Sequence, residues 1–210
     1  MLRNGTTQQR AQSRLNPPRK MVMAEQGLQG VRVAILATDG FEEAELAEPK
    51  KALEEAGARV LVVAPKSGAI YGMKHHDKAG EVKVDLTLSS AKTQDFDAVM
   101  LPGGALNADA LRFEKEAQRF VQEMDRSGKP IAFICHAPWL LVSAGLTRGR
   151  TLTSYHTIQD DIKNSGGNWV DREVVRDRNW VSSRKPDDIP AFNKEMLTLF
   201  GERKSRAQAN

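Results

Sequence analysis

The sequence predicts an α/β fold in which a mostly parallel sheet carries helices on both faces. Three observations lead there. Short apolar runs rich in β-branched residues recur: VRVAILA at 31–37, ARVLVVAP at 58–65, FDAVMLPGG at 96–104 and PIAFIC at 130–135. Runs without polar alternation read as strands buried on both faces. The segments between several of them are charged and Ala/Leu-rich, as helices covering such a sheet are. Glycines then punctuate the ends of both kinds of element.

Taken in order, 31–37 is the first strand and 38–40 a turn. A helix follows, closing at Gly57, with Pro49 expected to kink or interrupt it. With the strand at 58–65 this makes a βαβ unit. The turn-rich stretch GAIYGMKHHDKAGEVKVDLTLSSA reads as a small β-excursion. The strand at 96–104 ends in a glycine pair, and one charged helix is expected over 108–127. The strand at 130–135 leads into the helix HAPWLLVSAGL. TLTSYH (151–156) is a short strand and TIQDDIKNSGG a helix with a glycine stop. NWVDREVVRDRNWVSSR suggests two strands joined by a polar turn around 177–179, and a terminal helix covers 187–200.

Length and composition bound the function classes. The 210 residues suit one domain, expected over 29–202, with a disordered basic extension at 1–28 and a flexible tail at 203–210. The net charge of +4 is local: Arg3, Arg10, Arg14, Arg19 and Lys20 occur with no acid before residue 25, and the remainder is near neutral. Nucleic acid is therefore not an expected partner. The acid-poor N-terminus lacks the apolar region of a secretory signal. It is compatible with a transit peptide, a plain extension, or a chain that starts at Met21 or Met23. No apolar run is long enough to span a membrane. One cysteine, Cys135, excludes an internal disulfide and fits a reducing cytoplasm.

In parallel sheets ligands bind beyond the carboxyl ends of the strands. Three segments meet that rim: 37–45, 101–109 and 134–139. Cys135 closes an apolar strand, so it is either a core thiol or a nucleophile held at a strand-to-helix turn. Such a turn offers unpaired N–H groups that favour a thiolate and an oxyanion. His136 is the adjacent base, useful to Cys135 only if the backbone bends there, and His156 is a second candidate. Of Glu42, Glu43 and Glu45, one is expected to turn inward as a protonated carboxyl beside the thiol, and the others to serve the helix terminus. Asp109 is either a first-turn acid or the acid that orients a histidine. Gly103 and Gly104 allow close backbone approach, but the loop is neither GxGxxG nor a Walker motif. His75 and His76 lie in a polar loop. No metal or cofactor is expected.

The segments DGFEEAEL, FDAVMLPGG, KPIAFICHAP, LTRGRTLTSY, IKNSGGNWVDREVV and NWVSSR, in this order, resemble the PfpI-like family. These are intracellular cysteine peptidase-like proteins of the parkinsonism-associated deglycase superfamily, related to class I glutamine amidotransferases. The resemblance covers about 31–200. It implies a flavodoxin-like three-layer sandwich with a nucleophile elbow at Cys135, His136 beside it and Glu45 bonded to the thiolate. It implies an oxyanion pocket from Gly104 and the N–H after the cysteine, with Gly103 and Ala137 lining the site. Ala137 stands where Cys-His-Gly is common. The family's acid after Gly-Gly, reaching a histidine of a neighbouring subunit, falls on Asp109 with one extra loop residue and on Ala108 without it. The implied activity is attack on small reactive carbonyls or glycated proteins and peptides, as a glyoxalase or deglycase. Alternatives are an intracellular peptidase or amidase, and a redox-sensing stress protein or chaperone. A homodimer or homohexamer is implied.

Overall fold

The computed structural model describes Met1 and residues 27–208, the last six by backbone alone; the expected N-terminal extension lies largely outside them. The main sheet has seven strands in the order β11-β12-β8-β7-β1-β3-β6. They are β1 (Arg32–Leu36), β3 (Arg59–Ala64), β6 (Leu86–Thr87), β7 (Ala98–Leu101), β8 (Ile131–Ile134), β11 (Val174–Asp177) and β12 (Trp180–Ser183). Every neighbouring pair is parallel except β11 and β12. That exception is the hairpin expected around 177–179, with Asp177 opposite Trp180. A three-stranded sheet of β2 (Phe41–Glu42), β4 (Ala69–Lys74) and β5 (Asp77–Lys83) is the β-excursion.

The sheet separates two cores. On β1, Val33 and Ile35 face one core and Ala34 and Leu36 the other, all fully buried. Period-two alternation with both faces apolar is what the unbroken run VRVAILA encodes. The first core is completed by α1 (Glu43–Glu55), through Leu46 and Leu53, and by α6 (Ile189–Gln208), through Phe192, Met196 and Phe200. The second is covered by α2 (Ala105–Phe113), α3 (Lys115–Arg126), α4 (Pro138–Ser143) and α5 (Gln159–Asn164).

Four expectations are corrected. Pro49 does not interrupt α1; it is buried inside a continuous helix. The single helix of 108–127 is two helices, because Glu114 takes an extended backbone and Gln118 caps the Arg112 carbonyl at 2.7 Å. This lets α2 pack on α4 while α3 covers the sheet. The strand of 151–156 shrinks to β9 (Thr151–Leu152), paired with β10 (Asn168–Trp169) in a separate two-stranded sheet. Beyond it the chain spends its donors elsewhere: Thr153 N–H goes to Ser182 Oγ at 3.0 Å and Tyr155 N–H to the Cys135 carbonyl at 2.9 Å. The terminal helix expected over 187–200 is longer, running from Ile189 to Gln208, since no glycine or proline follows Gly201.

One polar cluster locks the far end of the sheet. The Arg150 side chain lies 3.7 Å over the Trp180 ring and bonds Asp177 Oδ2 at 3.2 Å, Asn179 Oδ1 at 2.9 Å and the Asp177 carbonyl at 2.8 Å. Asp125 Oδ1, 3.4 Å from Arg150, also accepts from Trp180 Nε1 at 2.8 Å. Arg150→Met should destabilise the fold by about 1–3 kcal/mol, because it removes a charged donor from two partly buried carboxylates that keep their other partners. Urea unfolding of the two proteins measures this.

Candidate active site

β8 ends at Ile134, and the next residue breaks the strand. Cys135 has φ of +62°, one of three non-glycine residues with positive φ among those described. An L-residue in this region costs on the order of 1–2 kcal/mol, so surrounding bonds must hold it there. They do: the Cys135 N–H donates to the Ser183 carbonyl at 3.1 Å, and its carbonyl accepts from Tyr155 N–H at 2.9 Å. The bend makes sequence neighbours converge. Cys135 Sγ lies 3.1 Å from His136 Nδ1.

Glu45 is the carboxyl that turns inward. It is fully buried in α1, and neither oxygen meets the geometry of a hydrogen bond. The Cys135 thiol and the Gly103 N–H nevertheless lie close enough to favour its charge, and burial outweighs both. Its pKa is pushed up to about 8, chiefly by burial, so the acid is mostly protonated at neutral pH. Burial also pushes the Cys135 thiol up, followed by the charge of the Glu45 carboxylate. That second influence disappears while Glu45 holds its proton. The backbone N–H groups of Gly104 and His136 act in the opposite direction and favour the thiolate.

The two glycines fit the site differently. A Cβ on Gly103 would strike Glu45 Oε2 and lie 2.5 Å from Cys135 Cβ. Gly104 has φ of +91°, and a Cβ there would strike the Gly40 carbonyl. The Ala137 expectation is refined: its N–H is spent on the Ile134 carbonyl at 3.1 Å and its methyl joins the second core. The donors at the sulfur are therefore those of Gly104 and His136.

His136 is partly buried between rings. It stacks on Tyr155 with centroids 4.9 Å apart and meets the edge of Trp139 at 5.4 Å. Burial, then the charge of His156, lowers its pKa, so the imidazole is neutral at pH 7 and able to accept a proton. His156 does not end a strand: it opens a short 3₁₀ turn and is exposed. Asp109 is exposed on α2, with no hydrogen bond or ion pair among the described residues. Glu42 and Glu43 hold the β-excursion, accepting from the His75 and Gly80 N–H groups at 3.2 Å each. No cluster of three or more His, Cys, Asp or Glu suited to a metal occurs among the described residues.

Sequence reasoning missed Asn107 and Tyr155. The buried Asn107 amide donates to the Pro102 and Gly103 carbonyls at 3.0 Å each and accepts from Thr38 N–H at 2.7 Å, fastening two rim segments. A buried amide inside LPGGALNADALR was the available signal.

Glu45→Gln tests the protonation state. The folded protein keeps a proton that the unfolded chain releases above about 4.5, the reference value. Stability from this group is complete below that pH, declines as pH rises, and is lost above about 8. The wild type should therefore weaken relative to Glu45→Gln by up to about 1.4 kcal/mol per pH unit in that window. Urea midpoints from pH 5 to 9 measure the difference.

Comparison with known proteins bears on the family and the fold. The model of the DJ-1/PfpI family matches residues 31–199. The deglycase PfpI of Pyrococcus furiosus is 42% identical over 170 residues, which span 81% of this chain and 99% of that protein. Protein/nucleic acid deglycase 2 of Escherichia coli is 39% identical over 171 residues, spanning 81% and 98%. Among solved structures, Drosophila melanogaster DJ-1beta superposes with a TM-score of 0.73 at 28% identity, covering 84% of this chain and 94% of that one. The flavodoxin-like sandwich expected from the sequence is the fold observed. With the family model matched across nearly the whole described domain, and relatives this similar over nearly their full length, the chain belongs to the DJ-1/PfpI family.

Proposed function

We propose that this protein is a cysteine-dependent stress-protection enzyme that acts on reactive dicarbonyls and on their adducts with protein amines. The observation that carries the reading is the strained Cys135, with His136 Nδ1 at 3.1 Å and a buried, protonated Glu45 against it. With methylglyoxal, the sulfur adds to the aldehyde carbon, forming a C–S bond as the carbonyl π bond opens. The thiol proton passes to His136, and the Gly104 and His136 N–H groups face the new oxyanion. Proton return gives the hemithioacetal. Moving a proton from the hydroxyl-bearing carbon to the adjacent carbonyl carbon, through its enediol, gives a lactoyl thioester. Water then releases lactate and the thiol. An amine adduct yields lactate and the free amine, with one water consumed.

Cys135 keeps 7% of its surface exposed, which suits a small carbonyl better than an extended polypeptide. We place the enzyme in a reducing compartment, where the thiol survives. Asp109 is part of the proposal as an acid that reaches His136 of another copy. Its neighbours on α2, Leu106 at 59% and Phe113 at 87% exposure, are the apolar surface such self-association would cover. Asp109→Ala should lower turnover about tenfold or more if the acid acts this way. Sedimentation alongside the assay separates loss of the acid from loss of assembly.

The test of the function is methylglyoxal consumption and lactate release, with a methylglyoxal-treated N-acetylated amino acid and a treated guanine nucleotide assayed in parallel. Amine-free buffer is required, because removal of free dicarbonyl imitates deglycation. Lactate release by the wild type that disappears in Cys135→Ser supports the reading. Failure of the wild type on all these substrates would overturn it.

A further inference from the structure

Asn107 is fully buried, and its side chain does more than tie two rim segments together. It is the third residue of α2. Its Nδ2 donates to two successive carbonyls, those of Pro102 and Gly103, at 3.0 Å each. Its Oδ1 accepts from the Thr38 N–H at 2.7 Å. Two acceptors at one end and one donor at the other fix which end of the amide is nitrogen. The Gly103 carbonyl takes a second donor, the Glu42 N–H at 3.3 Å.

Both peptides are trans. A trans peptide is planar, with its C=O and N–H pointing in opposite directions. Holding the Pro102 carbonyl therefore sets the direction of the Gly103 N–H, and holding the Gly103 carbonyl sets that of the Gly104 N–H. These are the two N–H groups that meet the reacting pair: Gly103 faces Glu45, and Gly104 faces Cys135. Glycine restrains neither peptide by itself, so the rigidity must come from another group. Gly104 is also the residue that precedes the first turn of α2, with no side chain capping that turn. In a capping box the third helical residue is a Glu or Gln that accepts the N–H of the cap residue. Asn107 stands at that place but reaches back as a donor, which leaves the Gly104 N–H for the sulfur.

We infer that Asn107 is a positioning residue: by holding the Pro102 and Gly103 carbonyls it aims the Gly103 N–H at Glu45 and the Gly104 N–H at Cys135. It touches neither substrate nor reacting atoms, and it acts independently of the acid that reaches His136 from another copy. The inference rests on the Gly104 donor of the reading above. It is testable without any carbonyl substrate, because the N–H that faces an oxyanion also stabilises a thiolate.

The experiment compares the wild type with Asn107→Leu, which keeps the size and removes every polar atom, and Asn107→Asp, which keeps the Oδ1 acceptor and loses the donor. Iodoacetamide alkylation of Cys135, the only cysteine, is followed by mass spectrometry across pH 5–9. Amide ¹⁵N spectra report Gly103 and Gly104. The titrating groups around the sulfur, Glu45 and His136 with His156 against Tyr155, are present in every variant. Arg150→Met, at the far end of the sheet, serves as the comparison that weakens the fold alone. The expected result in both Asn107 variants is alkylation about tenfold slower near neutral pH, the weight of one hydrogen bond to a charged sulfur. The pH profile should move upward, since the thiolate loses a donor, and the Gly104 signal should shift. With methylglyoxal, kcat should fall about 100-fold and KM change little, as for loss of an oxyanion donor. Arg150→Met should lower the melting temperature and leave the profile in place. A folded Asn107 variant with the wild-type alkylation profile and Gly104 signal would overturn the inference. If neither variant folds, the wild type decides. Its Asn107 side-chain N–H protons should resist exchange, and its Gly104 signal should move as Cys135 ionises; fast exchange or an unmoved signal would overturn it. If the wild type turns over no dicarbonyl but the alkylation and amide effects appear, the proposed substrate fails and the Asn107 assignment stands.

Discussion

Cys135→Ser is expected to lower lactate release from methylglyoxal by at least about 10³-fold, because the hydroxyl is a far weaker nucleophile than the thiol it replaces. His136 Nδ1 would still lie beside the side chain, so the loss would reflect the nucleophile rather than a rearranged site. Serine is similar in size, and the Ser183 and Tyr155 backbone bonds that hold the elbow do not involve the side chain. The melting temperature should therefore change little. A fold that stays intact with activity retained would remove the thiol from the chemistry.

Gly103→Ala should have the second largest effect, by a different cause. The new methyl would lie 2.5 Å from Cys135 Cβ and 2.9 Å from the Ile134 carbonyl, with Glu45 Oε2 closer still. Two of these neighbours belong to strand end and elbow, so they cannot swing aside as a flexible side chain can. The 102–104 loop must move outward instead, carrying the Gly104 N–H away from the sulfur. We expect roughly a 100-fold loss of turnover, as for a displacement near 1 Å at a reacting centre. The accompanying destabilisation should be about 1–3 kcal/mol, typical of overpacking. Steady-state kinetics and urea unfolding on one preparation read both. Gly103 has an ordinary φ, so the penalty is steric; at Gly104 a substitution would add backbone strain at φ of +91°.

The central strands were legible because burial on both faces leaves an unbroken apolar run, and 31–37 gave β1 to within one residue at each end. The elbow was legible as a position, a lone cysteine between an apolar strand and a helix. Its geometry was not, because whether adjacent side chains converge depends on one dihedral angle that Ser183 and Tyr155 stabilise from distant parts of the chain. Composition could not choose among three glutamates. Glu42 and Glu43 are drawn outward by the β-hairpin, and Glu45 is left facing the thiol. The break at Glu114 has no proline or glycine to mark it, since it arises from α2 and α3 packing on different partners.

Pro49 gives α1 a property its smooth course conceals. In a regular helix the N–H of residue 49 would bond the carbonyl of residue 45. Proline has no N–H, so the ladder has a missing rung at the residue that carries the buried acid. The first turn of α1 is thereby less tightly coupled to the body of its own helix and depends more on the β-hairpin that Glu42 and Glu43 secure. In amide hydrogen exchange, residues 44–48 should open together with that hairpin and exchange faster than residues 50–55. The acid beside the nucleophile thus sits on a small cooperative unit of its own, able to adjust as the site changes charge while the core behind it stays closed.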